Sequence, residues 1–249
     1  MKNKNLYLRY IPMSLVAILI IFFAVKNALS PAEGKEVELW YLIFKTTPTL
    51  ITLVIQLLLI AANRYGFLLG GLNSILYSAV YFMEGVPFSG FFALLVSAPI
   101  QIYSFFNWKK NSKGSKVTLR TLSTKWRIII GVILVALWAV CYFWLSRYMR
   151  MTIPICDTVI FTLGTVVTVL AAIRFVESQY LSFVSSLVSL VMWIILTIRD
   201  PSNINYAIIG VYNAYCVGQM AINWTILYIK DKRASRTAEK VTEDNYADN

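Results

Sequence analysis

Apolar stretches separated by short polar breaks succeed one another along the whole chain. A helix needs roughly 20 mostly apolar residues to cross the hydrocarbon layer of a bilayer, and about eight stretches approach that length, at 11–29, 39–62, 66–83, 88–108, 128–145, 155–173, 180–198 and 206–229. The pattern predicts an all-α integral membrane protein with about eight transmembrane helices. Lys2, Lys4 and Arg9 before the first stretch, and Ala28, Leu29 and Ser30 at its end, resemble the flanks of a signal peptide. Its apolar core is long for that role, so it is read as a retained helix. No polar stretch exceeds the one at 109–125, which leaves no room for a separate soluble domain.

Composition agrees: 58% of the 249 residues are hydrophobic and 14% charged, where a soluble domain has about 45–50% and about 25%. The net charge of +11 would by itself suggest a nucleic-acid partner. Its distribution says otherwise. With the N-terminus inside, Lys2, Lys4, Arg9, Arg64, the basic residues of 109–127, Arg174 and those of 230–240 gather on one side, which the positive-inside rule makes cytoplasmic. Both termini are therefore expected in the cytoplasm, and no nucleic-acid partner is expected. The other side carries Glu33, Glu36, Glu38, Glu84 and Asp200, with Arg147 and Arg150 breaking the pattern. The tail 230–249 reads as irregular beyond its first turn, its cations near anionic lipid headgroups.

The chain contains no histidine, which removes the commonest general base and metal ligand. Without a carboxylate cluster at helical spacing either, no group is left to run hydrolysis or transfer, and an enzyme is not expected. Cys141, Cys156 and Cys216 are odd in number and set apart in apolar runs, fitting neither a disulfide framework nor a metal cluster. No cofactor or metal is expected.

The chain also repeats itself. From Arg64 to Trp108 it reads as an arginine, an apolar stretch, a turn with Pro87, and a stretch ending Asn107-Trp108. From Arg174 to Trp224 it reads as an arginine, an apolar stretch, a turn with Pro201, and a stretch ending Asn223-Trp224. A threonine-rich stretch precedes each, with Thr46, Thr47, Thr49 and Thr52 in one and Thr158, Thr162, Thr165 and Thr168 in the other. Two triplets in the same orientation need one crossing between them, and 128–145 supplies it. The expected division is an N-terminal helix and loop at 1–38, a first triplet at 39–108, a basic loop and linker helix at 109–154, a second triplet at 155–229 and a tail at 230–249. Parallel repeats place a solute pathway on the axis that relates them.

Several segments resemble the PnuC family of bacterial vitamin and nucleoside transporters: Tyr65 to Asn73, Gln101-Ile102-Tyr103 with Trp108-Lys109-Lys110, Asp157, Arg174-Phe175-Val176-Glu177, and Gly218 to Trp224. The resemblance implies a three-plus-one-plus-three fold similar to the SWEET carriers, a homotrimer, a bacterial inner-membrane location, and facilitated diffusion of a nicotinamide riboside-like vitamin precursor or nucleoside. It also marks a departure. Where family members that handle nicotinamide riboside carry Trp-x-x-Trp-x-x-x-Asn, this sequence has Gln179, Ser182 and Ser186. Either Tyr180 and Phe183, one position along, take over the stacking, or the substrate is different or relaxed.

Polar residues inside a membrane normally face a cavity or a partner helix. Gln56, Asn63, Asn73, Gln101, Asn107, Gln179, Asn213, Gln219 and Asn223 are the amides so placed; Asn73, Gln101, Asn213 and Gln219 lie deep in their stretches and are the favoured candidates for binding the solute, with Tyr103 alongside, while Asn107 and Asn223 read as helix caps and Asn63 borders a loop. Ser178, Ser182, Ser185, Ser186 and Ser189 share one helical face, suited to close packing or to lining the pathway, the latter favoured for Ser182 and Ser186. Asp157 suits its own helix dipole or a cationic solute, and Arg174 and Glu177 suit a pair one turn apart. The function expected is membrane transport of a small planar solute. The alternative is a non-transporting receptor or the substrate-binding subunit of a larger uptake complex.

Overall fold

The computed structural model describes residues 2–29, 39–110, 112–113, 116–117, 119–144, 147–148 and 151–247. Glu33, Glu36, Glu38 and Arg150, used above to orient the chain, lie outside the described residues. Helix α1 spans Lys2–Leu29, α2 Leu39–Ile60 and α3 Tyr65–Met83. The next crossing runs through α4 (Pro87–Phe91), a π-helical turn (Phe92–Ser97) and α5 (Ala98–Lys110). A two-residue ladder of β1 (Ser112–Lys113) and β2 (Lys116–Val117) follows in the basic loop. Then come α6 (Thr124–Phe143), α7 (Pro154–Ala172), α8 (Glu177–Arg199) and, after a short turn at Pro201–Asn203, α9 (Ile204–Ala247).

Each expected stretch lies within or nearly coincides with a helix, because apolar length and flanking charge mark where a span begins and ends. Among the described residues six crossings are long and apolar enough to span a membrane: α2, α3, the crossing from Pro87 to Lys110, α6, α7 and α8. The apolar part of α1 is shorter, Tyr10–Lys26, and α9 carries Asn213, Gln219 and Asn223 through its middle. Proline opens α4 and α7, where a missing N–H costs nothing. The irregular tail is corrected: α9 continues to Ala247. The segment from Lys230 onward contains no glycine or proline and many good helix formers, so nothing in it stops the helix.

The helices close into a ring. Helix α3 packs on α2 and α5, α5 on α7, α8 on α7 and α9, and α9 returns to α2. Each triplet, α2–α5 and α7–α9, thus meets the other twice, through α5 with α7 and α9 with α2. Helix α1 lies outside the ring against α2 and α9, where Ile20 is fully buried with Leu53, Ile60, Ile209 and Met220. Helix α6 packs on α7 and otherwise turns Ile128, Val132, Val135 and Phe143 outward.

Candidate functional site

We call the end with the α3–α4 and α8–α9 turns the upper end and the end with the α2–α3 and α7–α8 turns the lower end. At the upper end two buried charges tie the triplets together. Lys45 of α2 donates to Glu84 Oε1 (2.6 Å) and to Asn203 Oδ1 (2.9 Å), while Asn203 Nδ2 donates to Glu84 Oε2 (2.8 Å). Asp157 of α7 accepts from Ser89 Oγ (2.5 Å), Ser89 N (2.9 Å) and Phe88 N (3.1 Å). Its carboxylate caps α4 rather than serving only its own helix, and with no exposed surface it is not open to a solute. Between these clasps Trp193 stacks on Tyr206 at 4.3 Å and on Tyr81 at 5.8 Å, with Tyr77 beside Tyr81.

Two indoles close the lower end. Trp108 and Trp224 are fully buried with ring centroids 5.2 Å apart. Trp108 Nε1–H donates to Ala171 O of α7 (3.2 Å), and Trp224 Nε1–H donates to Leu59 O of α2 (3.4 Å). Asn107, expected as a cap of its own helix, donates to Ala172 O and so caps α7 (2.7 Å). Ala62 and Arg174 follow α2 and α7 with positive φ of 52° and 69°. Arg174 therefore lies off the helical ladder of α8, and Glu177 pairs with Arg127 (2.8 Å) and the Leu122 N–H (3.0 Å) instead of it. Burial, and then the nearby Arg120 guanidinium, hold the Arg174 guanidinium below its usual pKa range.

Between the closures lies a cavity of about 180 Å³, lined by both triplets. Gln56, Leu59, Phe67, Gln101 and Ser104 come from the first, and Val167, Thr168, Ala171, Gln179, Ser182, Val217 and Met220 from the second. The lining pairs at constant spacing along the chain. One spacing separates Gln56 from Thr168, Leu59 from Ala171 and Phe67 from Gln179. The same spacing separates Lys45 from Asp157 and Ala62 from Arg174. A second separates Gln101 from Val217, Ser104 from Met220 and Trp108 from Trp224.

Hydrogen bonding decides what this lining offers. Gln56 Nε2 is held by Asn213 Oδ1 (3.0 Å), leaving the buried Gln56 Oε1 without a partner. Gln101 Nε2 is held by Ser97 Oγ (2.6 Å) and Ser74 Oγ (3.1 Å). Gln179 Nε2 has only a long contact, 3.4 Å, to Ser178 Oγ. Thr168 and Ser104 spend their hydroxyl hydrogens on Gly164 O and Ile100 O. The cavity is therefore lined by the Gln179 amide, the ring of Phe67 and Gln56, whose buried Oε1 is unpartnered, and none of the described lining residues is charged.

Of the residues nominated from sequence, the cavity brings together Gln101, Gln179 and Ser182. Asn213 stands behind it, orienting Gln56. Asn73 is buried elsewhere, its Nδ2 bonded to Pro48 O (3.0 Å) and Thr52 Oγ1 (3.0 Å), where α2 carries an interior proline. Tyr103 is exposed, and so is Tyr180, whose hydroxyl meets Thr225 Oγ1 (2.7 Å). Phe183 lies beside Gly218, Ser186 donates to Phe183 O (2.8 Å), and Gln219 is half-buried outside the lining. Phe67, Ser104 and Thr168 were not nominated, and Gln56 was named only as one of the intramembrane amides and not singled out. Ser104 stands one helical turn beyond Gln101 and could have been read from that, but the other three need the pairing of α2 with α7 and α3 with α8.

Gly70 makes room for the Gln101 amide. A Cβ there would collide with Gln101 Oε1, so the Gln101 amide keeps its present place against α3 only where position 70 has no side chain. Replacing Gly70 with alanine is expected to push Gln101 off Ser74 and Ser97 and to lower solute affinity about tenfold. Binding and thermal unfolding measured together check this, the unfolding temperature changing little.

No curated protein matches the chain significantly. It is similar in structure to the protein of "Crystal structure of the Vitamin B3 transporter PnuC", with a TM-score of 0.70 and 18% identity over 88% of this chain and 92% of that one. A model of the nicotinamide mononucleotide transporter family matches residues 42–226. That match takes in both triplets and the cavity between them, and on it the chain belongs to the nicotinamide mononucleotide transporter family of multi-pass membrane proteins.

Proposed function

We propose that the protein carries a flat, amide-bearing solute of the nicotinamide riboside or nucleoside class across a bacterial inner membrane by facilitated diffusion, with both termini in the cytoplasm. The observation that carries this reading is the uncharged cavity between the triplets, with an unpartnered acceptor at Gln56 and a weakly engaged donor at Gln179. A carboxamide presents the complementary pair, and amides and hydroxyls exchange for water around such a solute without trapping it. Gln101, Gln179, Ser182 and Gln56 bind it, and Asn213 positions Gln56. The division into two parallel triplets joined by α6 is supported by the constant spacing of the lining and by the paired indole closures. A cavity of about 180 Å³ is small beside ordinary ligand pockets of about 300–1,000 Å³. This fits a contracted state that widens when one closure parts.

Purified protein in liposomes tests this. Downhill uptake of nicotinamide riboside or a deoxynucleoside, unaffected by a proton ionophore, is the expected result. Flux by the purified chain alone would exclude the receptor or accessory-subunit alternative. No uptake of nicotinamide riboside, thiamine, riboflavin or any deoxynucleoside would overturn the proposal.

A further inference from the structure

We infer that Phe67 is the specificity-determining residue of the cavity, stacking on the flat ring of the bound solute; this rests on the transport reading above. Phe67 is the one aromatic side chain among the described residues of the lining. It stands two positions into α3, and its counterpart two positions into α8 is Gln179, which also lines the cavity. A ring and an amide thus occupy matching places on the two triplets. The ring is backed by a firm shelf: Phe67 is buried, its centroid is 4.7 Å from that of Trp108, and Trp108 packs on Trp224. The aromatic residues of α8 nearest the motif cannot take this part in this state. The Tyr180 and Phe183 rings are among the exposed apolar groups, and neither lines the cavity.

The arrangement divides the recognition. Phe67 contributes a face, while Gln56 Oε1 and the Gln179 amide address the polar edge of the solute. An aromatic solute gains from the face, and one of similar size with a puckered, saturated ring does not. The preference between two such solutes therefore reads out the stacking separately from the hydrogen bonds.

The test is the affinity of the purified full chain for nicotinamide riboside and for its ring-saturated analogue, in wild type, Phe67→Leu, Phe67→Tyr and the double variant Phe67→Leu/Gln179→Phe. Wild type is expected to prefer the aromatic solute by about tenfold. Phe67→Leu is expected to remove the preference, Phe67→Tyr to keep it with the Trp108 packing intact, and the double variant to restore part of it from the opposite triplet. Phe67→Leu retaining the wild-type preference would overturn the inference while leaving the transport reading in place. Wild type binding neither solute would overturn both.

Discussion

Alanine in place of Lys45 is expected to lower stability to unfolding by about 3–5 kcal/mol, because it strands a carboxylate inside the protein. Lys45 and Glu84 are both largely buried, with side chains 7% and 11% exposed, and their 2.6 Å contact closes a triangle with Asn203. Removing the ammonium leaves Glu84 with the Asn203 amide and no opposite charge. The cost is that of an uncompensated charge rather than of a lost attraction, so removing the second charge should return much of it. Lys45→Ala/Glu84→Gln is accordingly expected to be more stable than Lys45→Ala alone. Thermal unfolding of the single and double variants in detergent measures the coupling, and equal losses in both would show that the cost is lost attraction or packing rather than a stranded charge. Tyr206, which donates to Lys45 O (2.9 Å), places the aromatic stack in the same unit, so the variant should also loosen the upper closure.

Trp108→Ala is expected to cost about 3–5 kcal/mol and to open the lower end. The indole is fully buried, packs on Phe67 and Trp224, and donates to the end of α7. Phe in its place keeps most of the ring volume but loses the bond to Ala171 O, a loss of about 1 kcal/mol. The opening is read by accessibility. A cysteine placed at Ser182, which lines the cavity, should react slowly with a polar thiol reagent in the parent and much faster when combined with Trp108→Ala. Unchanged labelling would mean that the indole pair packs the fold without closing the cavity.

The spans were legible because length and hydrophobicity locate a membrane helix whatever surrounds it. Which way each polar residue faces was less legible. Asn73 and Gln56 are both amides within apolar helices, yet Asn73 bonds to the Pro48 segment and Gln56 faces the cavity, a distinction set by which helix packs against each. Tyr103 and Gln101 are two positions apart, and helical phase turns one out and the other in. Gln179 and Ser182 were singled out by the resemblance, Ser182 standing also on the serine face of α8. Phe67 was hidden among the many aromatics of a membrane protein, most of which meet lipid or its interface. The pair foreseen between Arg174 and Glu177 assumed a continuous helix, which the positive φ of Arg174 interrupts.

The central claim is that the cavity between the triplets is where the solute binds. The measurement that tests it most directly is the affinity of the purified protein for nicotinamide riboside in wild type, Gln56→Leu and Tyr103→Leu. Gln56→Leu keeps the volume and removes the unpartnered acceptor, while Tyr103→Leu alters an exposed side chain outside the cavity. Saturable binding by wild type, weakened about tenfold or more in Gln56→Leu and unchanged in Tyr103→Leu, is the predicted result. Equal affinity in wild type and Gln56→Leu would contradict it.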